Sequence, residues 1–263
     1  MRFYLGTHMP SWLAKTDVPL FLSRRRLARV KHLPKALGPY AIDSGGFSEL
    51  SMFGTWKTTA SQYVDEVRRF RDEIGPMDFA VIRDFMCEPA VRAKTGLSVE
   101  EHQRRTVESF IEFRDLAPEI PWCPVLQGWV TADYLRHVEA HEQAGIDLRA
   151  QPVVGVGSVC RRQDTTSAQT TLFRLALEGF SNLHGFGFKT KGLDRVGHVV
   201  ALGGRSLLAS ADSLAWSFSA RRQRGDGTAR LTDCEHASES NCLDYALAWR
   251  SQLLAKLDRT KAA

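Results

Sequence analysis

No apolar stretch in this 263-residue sequence approaches the roughly 20 residues needed to cross a bilayer, so no membrane segment is expected. Internal repeats and low-complexity linkers are absent, and no domain boundary is visible before about residue 220. Cysteine is scarce. Of the five, Cys87, Cys123 and Cys160 stand singly, which does not suit a disulfide framework. Only Cys234 and Cys242 fall close together. The N-terminal Met1-Arg-Phe-Tyr-Leu-Gly6 is too short in its apolar part for a signal peptide and reads as the start of a strand. These features lead us to expect an intracellular, cytoplasmic protein. The hydrophobic content of 43% and charged content of 25% are those of a globular chain.

The net charge of +5 is moderate, and its distribution says more. Arginines cluster at Arg24-Arg25-Arg26, Arg104-Arg105, Arg161-Arg162 and Arg221-Arg222 with Arg224. Such groups suit a polyanion, because each guanidinium can meet a phosphate and release a counterion. Any one pair alone could simply keep the surface soluble.

Short apolar runs alternate with longer amphipathic segments. We read strands near residues 2–6, 19–23, 39–43, 78–83, 121–127, 152–157, 182–187 and 206–210. Ser61 to Ile74 carries Tyr63, Val64, Val67 and Phe70 at helical spacing. Ser98-Val-Glu-Glu101 is a capping box opening a helix to about Ala117, and Thr131 to Ala144 ends at Gly145. Eight strands with intervening helices predict an α/β fold, a (β/α)8 TIM barrel over about residues 1–220 within a single domain. The first two units are weak, and a doubly wound open sheet is the alternative.

In a barrel the chemistry gathers where strands end. Six strand ends here are polar or glycine-rich: Asp43-Ser-Gly-Gly-Phe47, Arg83-Asp-Phe-Met-Cys-Glu88, Gln127-Gly-Trp129, Gly155-Val-Gly-Ser158, His184-Gly-Phe-Gly187 and Ser210-Ala-Asp-Ser213. Asp43, Asp84 and Asp212 would converge. One carboxylate can attack an anomeric carbon while another handles protons, and a third can accept from the amino edge of a base. Gln127 offers both a donor and an acceptor, and Phe47 a flat face. As a lesser alternative, three aspartates could hold a hard cation. The Gly-x-Gly pairs lack the spacing of a dinucleotide fingerprint.

In their order, Asp43-Ser-Gly-Gly-Phe, Val-Leu-Gln127-Gly, Val-Gly155-Val-Gly-Ser, Leu-His-Gly185-Phe-Gly and Ala-Asp212-Ser resemble the tRNA-guanine transglycosylase superfamily. The chain looks closer to the small phage and bacterial 7-deazaguanine DNA-modification transglycosylases, the DpdA-like proteins. The resemblance covers about residues 1–250 and implies exchange of guanine in DNA for a 7-deazaguanine base, with tRNA as the alternative polymer. It implies Asp212 as nucleophile and Asp43 as general acid/base. It assigns base recognition to Asp84 and Gln127, helped by Ser44, Gly46, Gly128, Gly157, Ser158 and Gly185, with stacking by Phe47 and His184. A base inside a duplex cannot reach such a pocket, so the nucleotide must be flipped or single-stranded. Arg161, Arg162, Arg221, Arg222 and Arg224 are expected to hold the backbone.

Cys234-Glu-His236 and Cys242, before a helix beginning near Tyr245, resemble the superfamily's structural zinc site, with Asp233 or Glu239 as a fourth ligand. Partner modification proteins are a further expectation. A binding barrel without turnover and a divalent-metal hydrolase are the readings from other classes.

Overall fold

The computed structural model describes residues 1–189, 191–193, 207–225 and 239–262. Its strands are β1 (Arg2–Thr7), β2 (Leu20–Ser23), β3 (Tyr40–Asp43), β4 (Phe79–Val81), β5 (Trp122–Cys123), β6 (Val125–Leu126), β7 (Val154–Val156), β8 (Leu183–Gly185) and β9 (Ser210–Ser213). All are parallel, in the order β5-β4-β3-β2-β1-β9-β8-β7-β6. The two ends of this sheet, β5 and β6, are separated only by Pro124. Proline has no N–H to give to a ladder, which is why one predicted strand over 121–127 divides here. The Pro124 carbonyl still accepts from Gly155 N–H at 2.8 Å. Counted as one interrupted strand, the pair closes the sheet into an eight-position TIM barrel. The open-sheet alternative falls.

The last strand lies later than expected, over Ser210–Ser213 rather than 206–210. Hydropathy points to Leu207 and Leu208, which are buried just before the strand. Pairing decides otherwise: β1 holds Ser210 to Ser213 in register with Arg2 to Leu5. Asp212 therefore projects from within a strand, where backbone hydrogen bonds fix its position.

The helices are α1 (Arg24–Leu27), α2 (Gly46–Phe53), α3 (Ala60–Ile74), α4 (Pro89–Thr95), α5 (Val99–Leu116), α6 (Thr131–Gln143), α7 (Thr166–Leu177), α8 (Ala215–Gly225) and α9 (Leu243–Ala262). After β1 there is only a 3-10 turn, Pro10–Ala14, so the first two units are short as expected. Ser98 Oγ accepts the Glu101 N–H at 3.1 Å and starts α5. The face Tyr63, Val64, Val67 and Phe70 of α3 is buried against the barrel. From α9, Tyr245, Ala246, Leu253 and Leu257 pack onto the same core, beneath β1. Among the described residues no helix is long and apolar enough to cross a membrane.

Candidate active site

A cavity of about 540 Å³ opens at the C-terminal ends of the strands. Asp43, Ser44, Phe47, Asp84, Gln127, Gly157, Ser158, Arg161 and Asp212 all line it. Asp43 ends β3, and Gly45, at φ +74°, turns the chain so sharply that its N–H returns to Asp43 Oδ2 at 3.0 Å. Ser44 caps the same turn, accepting Gly46 N–H at 3.0 Å and donating to Asp84 Oδ1 at 2.8 Å. Gln127 Nε2 donates to the other oxygen, Asp84 Oδ2, at 2.7 Å. Ser158 Oγ accepts Cys87 N–H at 2.7 Å and has one proton to give, with Gln127 Oε1 at 2.7 Å and Glu88 Oε2 at 3.0 Å in reach. Ser158 sits at φ +55°, strained for a residue with a Cβ. Its hydroxyl thus ties the ends of β4, β6 and β7 into one network.

Asp212 is held differently. Gly187 N–H donates to its Oδ1 at 2.9 Å, and His184 Nε2 lies 3.3 Å from the same oxygen. Ser210 Oγ is 2.8 Å from His184 Nδ1; a serine proton given there leaves the imidazole hydrogen on Nε2, facing the carboxylate. His184 is fully buried, with rings of Tyr4, Phe21, Phe79 and Phe186 around it. It therefore does not face the cavity as a stacking surface. Alternation along β8 turns His184 into the barrel interior, between the outward Leu183 and Gly185, whereas Phe186, just past the end of β8, lines the cavity.

Burial raises the Asp43 carboxyl from 3.8 to about 7, and the neighbouring charges of Asp84 and Asp212 add to it, against the Gly45 N–H and Arg24. Asp84 rises to about 6, again mainly by burial, while its Ser44 and Gln127 hydrogen bonds pull the other way. With Glu88, which the sequence placed at a strand end without a role, the cavity holds four carboxyl groups. The rim is the reverse in sign. Arg161 and Lys189 line it and are exposed, as is His8, whose pKa is lowered by burial and by the charges of Arg26 and Arg221.

The family profile DpdA, DeoxyPurine in DNA protein A, matches residues 1–263. The chain belongs to the DpdA family. That membership supports a transglycosylase role in DNA modification, with DNA as substrate. No curated protein matches the chain. A candidate fructose-1,6-biphosphate aldolase from Coccidioides immitis shares the fold at 10% identity and a TM-score of 0.50, covering 100% of this chain and 92% of its own. At that identity the likeness concerns the barrel alone.

The remaining sequence expectations for this DpdA-family chain divide. Gly46, Gly128 and Gly185 do not line the cavity. A Cβ on Gly128 would meet Asp133 and Tyr134, and one on Gly185 would meet Phe188, so both serve close packing. Arg162 is turned inward, donating to Ser158 O at 2.9 Å and Tyr134 Oη at 3.1 Å. Arg24 is also interior, 3% exposed, pairing with Glu49 and Glu66 and donating to Ser44 O. Arg104 and Arg105 pair with Glu101. Burying an arginine demands such partners, and hydropathy alone does not reveal them. Arg221 and Arg222 are exposed on α8, while Arg161 stands over the Phe47 ring at 4.8 Å. Of Arg224 only the helical backbone is described, and Cys234 and His236 lie outside the described residues.

Gly157 carries one prediction. A Cβ there would sit 2.2 Å from Gln127 Nε2. Gly157→Ala should push the amide off Asp84 and raise KM for the substrate that enters the cavity by about tenfold or more, with a smaller change in kcat. Steady-state kinetics check this; an unchanged KM would mean Gln127 does not contact that substrate.

Proposed function

We propose that this protein exchanges guanine in DNA for a 7-deazaguanine base, such as 7-cyano-7-deazaguanine, through a covalent glycosyl-aspartate. The observation that carries the reading is the acidic cavity floor beneath a basic rim. Phosphates are attracted to the rim and repelled from the floor, so an uncharged base enters while its backbone stays outside.

In the first displacement Asp212 attacks C1′ of the target deoxyguanosine. The C1′–N9 bond breaks, and Asp43, as the acid, gives its proton to the departing guanine. In the second, Asp43 as carboxylate takes the N9 proton of the incoming base, whose N9 attacks C1′ and releases Asp212. Two inversions retain the sugar configuration. A carboxyl raised to about 7 suits both duties, because near neutrality each form is well populated. Asp84 and Gln127, linked to each other in this structure, offer an acceptor and an amide to the base edge once it enters. Phe47 is exposed beside the cavity as a stacking face.

The test is incubation of DNA and, separately, tRNA, each carrying radiolabelled guanine, with 7-cyano-7-deazaguanine and wild-type or Asp212→Ala protein. Release from DNA by wild type alone is the expected result. Release from tRNA would shift the substrate to RNA, and release from neither would overturn base exchange.

A structural zinc belongs to the same reading. Two thiolates and an imidazole, Cys234, His236 and Cys242, are a donor set suited to zinc. Cys242 is buried at the start of α9, beside the segment whose Ser240 carbonyl accepts from Ser217 Oγ of α8 at 2.8 Å. A metal there would anchor the helix following Asp212. Metal analysis of purified protein should find about one zinc per chain, lost in Cys242→Ser. Metal-free wild-type protein would count against the site.

A further inference from the structure

Phe218 is exposed at 63%, yet it lines the cavity. Single exposed apolar side chains are ordinary, and this one is set apart by what surrounds it. It stands on α8, directly after the strand bearing Asp212. One turn later on the same helical face come Arg221 and Arg222, both exposed. The helix is locked in place: Trp216 is buried, donates to Gly6 O at 2.8 Å and lies tilted against Trp12 at 5.2 Å, and Ser217 donates to Ser240 O and accepts from Arg221 Nη2 at 3.3 Å. The result is an exposed aromatic ring on an anchored helix beside the pocket mouth, with two exposed arginines one turn further on.

Resting on the base-exchange reading, we propose that Phe218 enters the stack of duplex DNA and fills the gap left when the target guanine swings into the cavity. The acidic floor takes only a base withdrawn from its helix, and withdrawal leaves two neighbouring base pairs without their stacking partner. A flat apolar ring at the rim replaces that lost stacking, while Arg221 and Arg222 hold the strand on the same side. Phe47 lies elsewhere on the cavity wall, with Arg161 over its ring, and remains with the base itself.

The test uses full-length Asp212→Asn protein, so that no DNA is altered during binding. Two duplex pools, randomised around one central position, carry there either guanine or an abasic tetrahydrofuran. A ring that fills the gap makes the abasic pool bind about tenfold more tightly than the guanine pool. Adding Phe218→Ala should abolish that preference, and Phe218→Trp should keep it, with melting temperatures unchanged because the ring is exposed. A parent with no preference, or a preference indifferent to Phe218→Ala, overturns the wedge. Guanine release by wild-type protein is measured alongside. Release together with an indifferent preference sinks the wedge but leaves base exchange standing. A Phe218-dependent preference without release supports the wedge and sinks base exchange.

Discussion

Asp212→Asn protein should bind DNA as wild type does, form no covalent DNA adduct and release guanine roughly 10⁴-fold more slowly or not at all. The geometry gives the reason. Gly187 N–H and His184 both address Oδ1, at 2.9 and 3.3 Å, so Oδ2 is the oxygen left to attack. Asparagine can keep a carbonyl oxygen toward Gly187 and His184 and places an NH₂ where the nucleophile was. The fold therefore survives while the reactive lone pair is lost. Adducts resolved on a denaturing gel, without incoming base, make the check direct. An adduct persisting in Asp212→Asn would move the nucleophile elsewhere in the cavity, with Asp43 first to be tested.

The second large effect concerns Asp43 and its dependence on pH. Because its carboxyl lies near 7, the two half-reactions should respond in opposite ways. Adduct formation needs the protonated acid and should fall as pH rises through about 7; capture of the incoming base needs the carboxylate and should fall as pH drops through about 7. Asp43→Asn should flatten both profiles and slow each step by about 10²- to 10⁴-fold. Single-turnover rates of the two steps, measured separately, read this out. Parallel pH profiles would remove Asp43 from the proton transfers.

The same shift has a sign in stability. Asp43 holds its proton more tightly when folded than when unfolded, so the favourable contribution is complete below about 3.8 and is lost as pH rises through about 7. Wild-type protein at about pH 8.5 keeps a buried charge crowded by Asp84 and Asp212, and Asp43→Asn relieves it. The variant should melt higher than wild type by roughly 5 °C at that pH, with the gap closing toward about pH 4. A variant that is catalytically dead yet more stable is the behaviour expected of a group placed for chemistry rather than for the fold.

Much was legible in the order of residues. Apolar runs followed by glycine, aspartate and glutamine marked the strand ends, because a barrel confines its chemistry to that face. The capping serine at 98 and the glycine at 145 marked helix ends, since their conformations are set by a few neighbouring atoms. The DpdA family profile agrees with the resemblance read from Asp43-Ser-Gly-Gly-Phe and Ala-Asp212-Ser.

Other features depend on partners distant in the chain, and no local pattern announces them. Ser210-Ala-Asp-Ser213 is a poor strand by composition and becomes one because β1 and β8 pair with it from both sides. Arg24 reads as part of a surface cluster but is buried, since Glu49 and Glu66 come to it from α2 and α3. His184 reads as a stacking face but supports Asp212, because alternation along β8 turns it inward. The sequence by itself determined the succession of strands and helices and marked the strand ends, as both follow from short-range periodicity and turn chemistry. Only the tertiary structure decided which charges are buried, which are neutralised and which face the cavity, because those depend on contacts made across the closed sheet.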